Sequence, residues 1–151
     1  MLRPRTLAIV QRLLLMAFLF VAITAARAAE EDDVKVSANA FIDAMMDTKN
    51  VAQTFERFAG PRMRQTQTKD TLAEYVGLYA LQFGGKLKDK QFIGAQHLTQ
   101  WPGTNEKGNF YFLRYRTRYP TADVFTDLWM ERADDGWRVI SFQFIPAPAG
   151  G

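Results

Sequence analysis

The sequence predicts an α+β fold, with helices first and an antiparallel meander of strands after them. Three observations carry this. Apolar residues recur at helical spacing as far as Phe83 and alternate with polar ones after Lys86. Gly84-Gly85 stands where the period changes. Short turn-forming segments separate the later stretches, and short links join antiparallel neighbours, whereas parallel ones need long crossovers.

Residues 1–28 read as a leader. Arg3, Arg5 and Arg12 precede an unbroken apolar run, Leu13 to Ile23, and Ala26-Arg27-Ala28 then offers small residues at a cleavage site. That is the pattern of a secretory signal peptide, and eleven apolar residues are short of the roughly 20 a membrane span needs. The expected mature protein starts at Ala29 and works outside the cytoplasm, in a bacterial periplasm, with no membrane association after cleavage. Four of the 19 basic residues and none of the 16 acids lie in the leader, so the mature part carries 15 basic against 16 acidic residues. The basic pI near 9.3 therefore belongs to the leader, and no charge argument for nucleic acid survives. The chain has no cysteine, which excludes disulfides, thiol chemistry and a lipidated cysteine. Residues 29–145 are expected to form one domain, stabilised by burial of the chain's many aromatic side chains.

Glu30 to Asp33 place acids where a helix begins. Val34, Ala38, Phe41, Ile42 and Met45 then mark one face of an amphipathic helix over about residues 32–47. Val51, Phe55 and Phe58 form a second, short stripe that Gly60-Pro61 stops. Thr71 with Glu74 reads as a capping box, and Leu72, Tyr75, Val76, Tyr79 and Phe83 follow on a third helix that Gly84-Gly85 ends. The expected strands are Phe92 to Leu98, Asn109 to Tyr119, Val124 to Arg132 and Trp137 to Ile145. Between the first two lies a loop, Trp101 to Gly108, and Asp134-Asp135-Gly136 is a tight turn. Residues 146–151, rich in Pro, Ala and Gly, are expected to form a frayed tail.

The clearest strand has two unlike faces. Phe110, Phe112, Arg114, Arg116 and Arg118 point one way, and Tyr111, Leu113, Tyr115, Thr117 and Tyr119 the other. The tyrosine and leucine face is the expected core side. The arginine row is expected to pair with Asp127 and Glu131 on the next strand, or to serve as a partner face, including one for a second copy of the chain. No known catalytic pattern appears. His97 is the one histidine, Ser37 and Ser141 are the only serines, and there is no glycine-rich phosphate loop. Nothing in the sequence calls for a metal or another cofactor. Asp43 and Asp47 share a helix face but are expected to meet water. Asp123 or Asp127 with Tyr115 or His97 could form an acid–base pair only if burial gathers them.

Phe83-Gly84-Gly85-Lys86-Leu87, Trp101-Pro102-Gly103, the strand Phe112 to Tyr119 and the ending Asp135-Gly136-Trp137-Arg138-Val139 resemble the nuclear transport factor two-like (cystatin-like) superfamily. In particular they resemble the secreted bacterial proteins of the domain of unknown function 4019 family, over roughly residues 34–145. The resemblance implies a cone, in which a strongly curved sheet wraps the first helix and leaves a pocket at its open end. Isomerases, dehydratases, transport factors and inhibitors share that architecture, so it does not choose a function, and the family has no assigned reaction. The expected lining is Phe41, Met45, Tyr79, Phe83, Tyr111, Tyr115, Trp129 and Trp137, which suits a small apolar ligand. The expected function is thus an exported, non-enzymatic domain that binds such a ligand or a protein partner. The alternatives are a homo-oligomeric interaction module and a small isomerase- or dehydratase-like enzyme.

Overall fold

A computed structural model describes residues 26–148. The apolar run of the leader and the last three residues of the tail lie outside the described residues; residues 26–28 are helical. The chain divides after Asp33 into two compact units, and the second holds the core described below. The elements are α1 (26–45), α2 (Val51–Phe58), α3 (Pro61–Thr66), α4 (Lys69–Phe83), β1 (Asp89–Gln100), β2 (Lys107–Arg118), β3 (Asp123–Ala133) and β4 (Gly136–Pro146). The four strands form one curved antiparallel sheet in the order β1-β2-β3-β4. This is the α+β meander the sequence predicts.

The first helical stripe is buried as its spacing requires. Val34, Ala38, Phe41, Ile42 and Met45 are all within 1% of complete burial. The short second stripe becomes α2, with Val51, Phe55 and Phe58 buried. Gly60-Pro61 does more than stop it. Pro61 occupies the first position of α3, where a missing N–H costs nothing. Gly60 N donates to Val139 O at 2.8 Å, and Ala59 bridges Val139 in parallel, so this turn docks on β4. A side chain at Gly60 would run into Glu131. Glu131 Oε1 instead accepts a bond from Arg62 N in the first turn of α3 at 3.1 Å, where a carboxylate favours the helix start.

The capping box on α4 lies one turn before the expected one. Thr68 is the N-cap; its hydroxyl accepts from Thr71 N, and the Thr71 hydroxyl accepts from Thr68 N. Thr71 is therefore the third helical residue and not the cap. Gly84, at φ 75°, ends α4 in the left-handed conformation that glycine adopts without strain. Most strand ends lie beyond their expected bounds, most of all those of β1, at Asp89 and Gln100, whereas β2 stops at Arg118, one residue before Tyr119. At the tail, Ala147 N donates to Asp123 O, so the chain stays paired one residue past β4.

The core lies between the helices and one face of the sheet, here called the inner face. From β2 it takes Tyr111, Leu113, Tyr115 and Thr117, all at most 3% exposed. From β3 it takes Val124, Thr126, Leu128 and Met130. Among the described residues the buried Tyr115 hydroxyl has no partner, and the buried Tyr119 hydroxyl has only weak help from the Thr117 and Thr126 hydroxyls. Burial pushes both groups up to about 12 from an ordinary 10.0. A phenol whose folded pKa is raised contributes stability that is complete below pH 10 and is lost as pH rises from 10 towards 12. The urea midpoint should therefore fall between pH 9.5 and 11.5 (about 1 kcal/mol or more). Tyr115→Phe, which removes an unsatisfied hydroxyl, should flatten that fall and stabilise the protein at pH 7 by about 1 kcal/mol.

Candidate functional site

The other face of the sheet carries the chemistry. Strand alternation and register bring Phe110, Phe112, Arg114, Arg116 and Arg118 of β2 opposite Glu131, Trp129, Asp127, Phe125 and Asp123 of β3. Arg114 grips Asp127 through two parallel bonds, Nε to Oδ1 at 2.7 Å and Nη2 to Oδ2 at 2.8 Å. Asp127 is 1% exposed, and Gln143 of β4 donates to its Oδ2 at 3.3 Å. The guanidinium of Arg114 also lies 5.7 Å from the Phe112 ring centre and 5.3 Å from that of Phe125, a stacked cation held flat on the sheet. Asp127 raises the Arg114 pKa further above its ordinary value. Arg116 pairs with Asp123 at 2.8 Å, and the Arg116 guanidinium holds that carboxyl below its usual range. Arg118 is exposed and adds a weaker attraction to Asp123.

Next to these pairs is an aromatic group. Phe112 and Trp129 are 4.8 Å apart between ring centres, Trp129 and Trp101 5.4 Å, and Trp101 and Phe110 5.5 Å. Arg62, reaching over from α3, lies 5.2 Å from the Trp101 ring and 5.3 Å from the Phe110 ring. It pairs with Glu131 at 3.2 Å and with Glu106 of the β1–β2 loop. The face thus has a half-exposed aromatic centre bordered by compensated charges and by Gln96 and Gln143.

The expected arginine row is present, with corrections. Arg114 pairs with Asp127 as expected, but Glu131 pairs with Arg62 and not with the row. Phe110 is 3% exposed, covered by Trp101 and Arg62, and offers no free surface. Trp101 and Arg62 belong to this face, yet one sits in a turn-rich loop and the other past a helix stop. Only the size and aromaticity of Trp101 could have pointed to it.

The expected cone lining is largely filled by itself. Phe41, Met45, Phe83, Tyr111, Tyr115 and Trp137 are at most 4% exposed, and Tyr79 packs against them half-buried. One chain of ring contacts joins Phe58, Phe41, Phe142, Tyr75, Tyr79, Phe144, Phe83 and Tyr119 at 4.6 to 5.7 Å. Trp129 is not part of the lining; it lies on the opposite face, against Phe112. Of that lining, Tyr79 and Phe83 also border a surface cleft of about 560 Å³, with Phe144 and the β2–β3 turn. A second cleft, of about 360 Å³, lies between the end of α1, α2 and Lys86-Leu87.

The acid–base candidates are not brought together. Asp123 and Asp127 are on the outer face, tied to arginines, while Tyr115 is on the inner face. His97 Nε2 lies 2.7 Å from Asn109 Oδ1 with its ring against Tyr111. Asp43 pairs with Lys90, and Asp47 accepts from Lys49 N and Asn50.

A family model described as protein of unknown function (DUF4019) matches residues 37–142. No curated protein matches. Among solved structures the chain is similar to Bd1075 of Bdellovibrio bacteriovorus, at 6% identity and a TM-score of 0.49. The similarity covers 79% of this chain and 41% of that one, so the chain spans less than half the length of its structural relative.

Proposed function

We propose, for a chain that belongs to the DUF4019 family of proteins of unknown function, that it is an exported, non-enzymatic domain whose outer sheet face docks a protein partner. One observation carries this reading. Trp129 and Phe112 stand half-buried near the middle of that face with Trp101 of the β1–β2 loop against Trp129, and around them the charges are already compensated. Aromatic and arginine anchors at the centre with a polar rim are the anatomy of a protein interface. Arg114 is also pre-organised, since Asp127, Phe112 and Phe125 fix its rotamer before any partner arrives, which lowers the ordering cost of binding. The charge balance favours a partner with an apolar patch over a strongly acidic one. Export is supported by the basic, apolar and small-residue order of the first 28 residues. A small ligand held inside the cone is less well supported, because the aromatic side chains there occupy one another's contact surfaces.

The test is photo-crosslinking in the organism of origin, with a benzophenone side chain placed at Phe112 or Gln96 on the face and at exposed Ala73 on α4 as control. Discrete adducts at the first two positions, lost on Trp129→Ala, are the expected result. Export predicts that the adducted chain has a mass starting at Ala29. Adducts absent from Phe112, or equal at all three positions, would end the reading.

A further inference from the structure

Arg62 occupies a place that the docking reading leaves without a task. It projects from the first turn of α3, outside the sheet, and yet reaches both the β1–β2 loop and the outer face. Glu131 fixes where it points. The Glu131 side chain is 11% exposed, and its two oxygens meet this one residue: Oε1 accepts from the backbone N at 3.1 Å, and Oε2 pairs with Nε at 3.2 Å. With that end tied down, the guanidinium lies against the Trp101 and Phe110 rings and presents Nη2 to Glu106 in the loop.

The loop that carries Trp101 and Glu106 is bonded to itself. Trp101 N donates to Glu106 O at 2.9 Å, and Thr104 donates to Trp101 O through its N at 3.2 Å and its hydroxyl at 3.0 Å. The same hydroxyl accepts from Glu106 N at 3.1 Å. The root of the loop is less regular, because the β1–β2 pairing slips between Leu98 and Gln100. Such an irregularity interrupts the ladder and lets the strand bend. A piece that is stiff in itself and set on an interrupted ladder turns as a body, so its ties to the fold decide where it stands. It is tied at Trp101, whose ring meets Trp129, Phe110 and Arg62, and at Glu106, which pairs with Arg62. Arg62 takes part in both ties.

Phe110 shows what this placement does. Its ring passes over Gly108, where any side chain would run into it, and Trp101 and Arg62 lie against it, so that it is 3% exposed. Lifting the loop would bare Phe110 and take Trp101 away from Trp129.

We infer that Arg62 is the positioning residue of the docking face: it latches the β1–β2 loop as one piece, so that Trp101 stands beside Trp129 and Phe110 stays covered. The inference rests on the reading of that face as a docking site and says what sets its shape. Glu131 aims Arg62, and Arg62 aims Trp101. Because Trp101 is placed before a partner arrives, its ordering is no part of the cost of binding. The latch also selects. A partner side chain that must reach Phe110 is refused, while one that lies across Trp129 and Phe112 is admitted.

Fluorine NMR of the full chain labelled with fluorinated tryptophan tests it. Trp101, Trp129 and Trp137 are the only tryptophans, and each signal is assigned by its loss in the corresponding phenylalanine variant. In Arg62→Gln and in Glu106→Gln the Trp101 signal is expected to shift toward its position in the unfolded chain, while that of Trp137, in the core, stays in place. The Glu106 side chain is 57% exposed, so Glu106→Gln should keep the parent melting temperature and serves if Arg62→Gln fails to fold. Benzophenone adducts at Gln96 should be fewer in Glu106→Gln than in the parent. A Trp101 signal unmoved in Glu106→Gln, or a Trp137 signal that moves as far as that of Trp101, would overturn the latch. Undiminished adducts beside a shifted Trp101 signal would overturn its role in docking. A parent chain that forms no adducts ends the docking reading and that role with it, and the fluorine signals still decide the latch.

Discussion

Trp137→Ala should lower stability by about 3–5 kcal/mol, measured as the shift in urea unfolding free energy at pH 7. That is a large share of the ~5–15 kcal/mol that holds a typical domain together. Trp137 is 4% exposed and meets Tyr111 edge-on at 5.2 Å. Arg132, directly across on β3, lies 5.5 Å from its ring centre. The side chain therefore closes the end of the core where β4 begins, and alanine would leave a void lined by groups that the sheet holds in place. Among the described residues the indole N–H has no bonding partner, so the loss comes from packing and not from a hydrogen bond. Trp137→Phe should for that reason cost far less, about 1 kcal/mol. A loss under about 1 kcal/mol for the alanine variant would place Trp137 outside the core and invert the faces of β4.

The residues show why some of this was legible beforehand. The face of α1 was readable because five apolar residues repeat with the helical period and nothing else explains them. β2 was readable for the same reason at period two, with Tyr and Leu alternating against Arg. The helix α3 is hidden in the sequence because Gly60-Pro61 reads as a stop, although proline is as much at home in the first turn of a helix. The α4 cap moved by one turn because Thr68 to Thr71 and Thr71 to Glu74 satisfy the same spacing, and only the backbone decides between them. Trp129 shares parity with Asp127 and Glu131, so strand alternation alone puts all three on the arginine face. Its hydrophobicity points to the core instead, on a strand that is largely buried on both faces. Arg62 lay beyond sequence reasoning, since its site is built from three segments that only the fold brings together.

Phe41→Ala should cost a similar ~3–5 kcal/mol, and it also tests how the cone is used. Phe41 is 1% exposed and lies between Phe58 at 5.7 Å and Phe142 at 5.3 Å, both edge-on. Those neighbours belong to α2 and β4, and Phe142 is itself braced by Tyr75 at 5.4 Å. They can therefore close only part of the space a phenyl ring leaves. What remains is an apolar void without polar partners for water, and such voids stay dry and accept small aromatics. Benzene should accordingly raise the melting temperature of Phe41→Ala, by the mass action of a ligand that binds only the folded state, and should do nothing for the parent protein. If benzene or a similar apolar compound stabilised the parent as well, the aromatic cluster would be opening in solution, and the cone would be a ligand site alongside the sheet face. If it stabilised only the variant, Phe41 and its neighbours are themselves what the cone was built to hold.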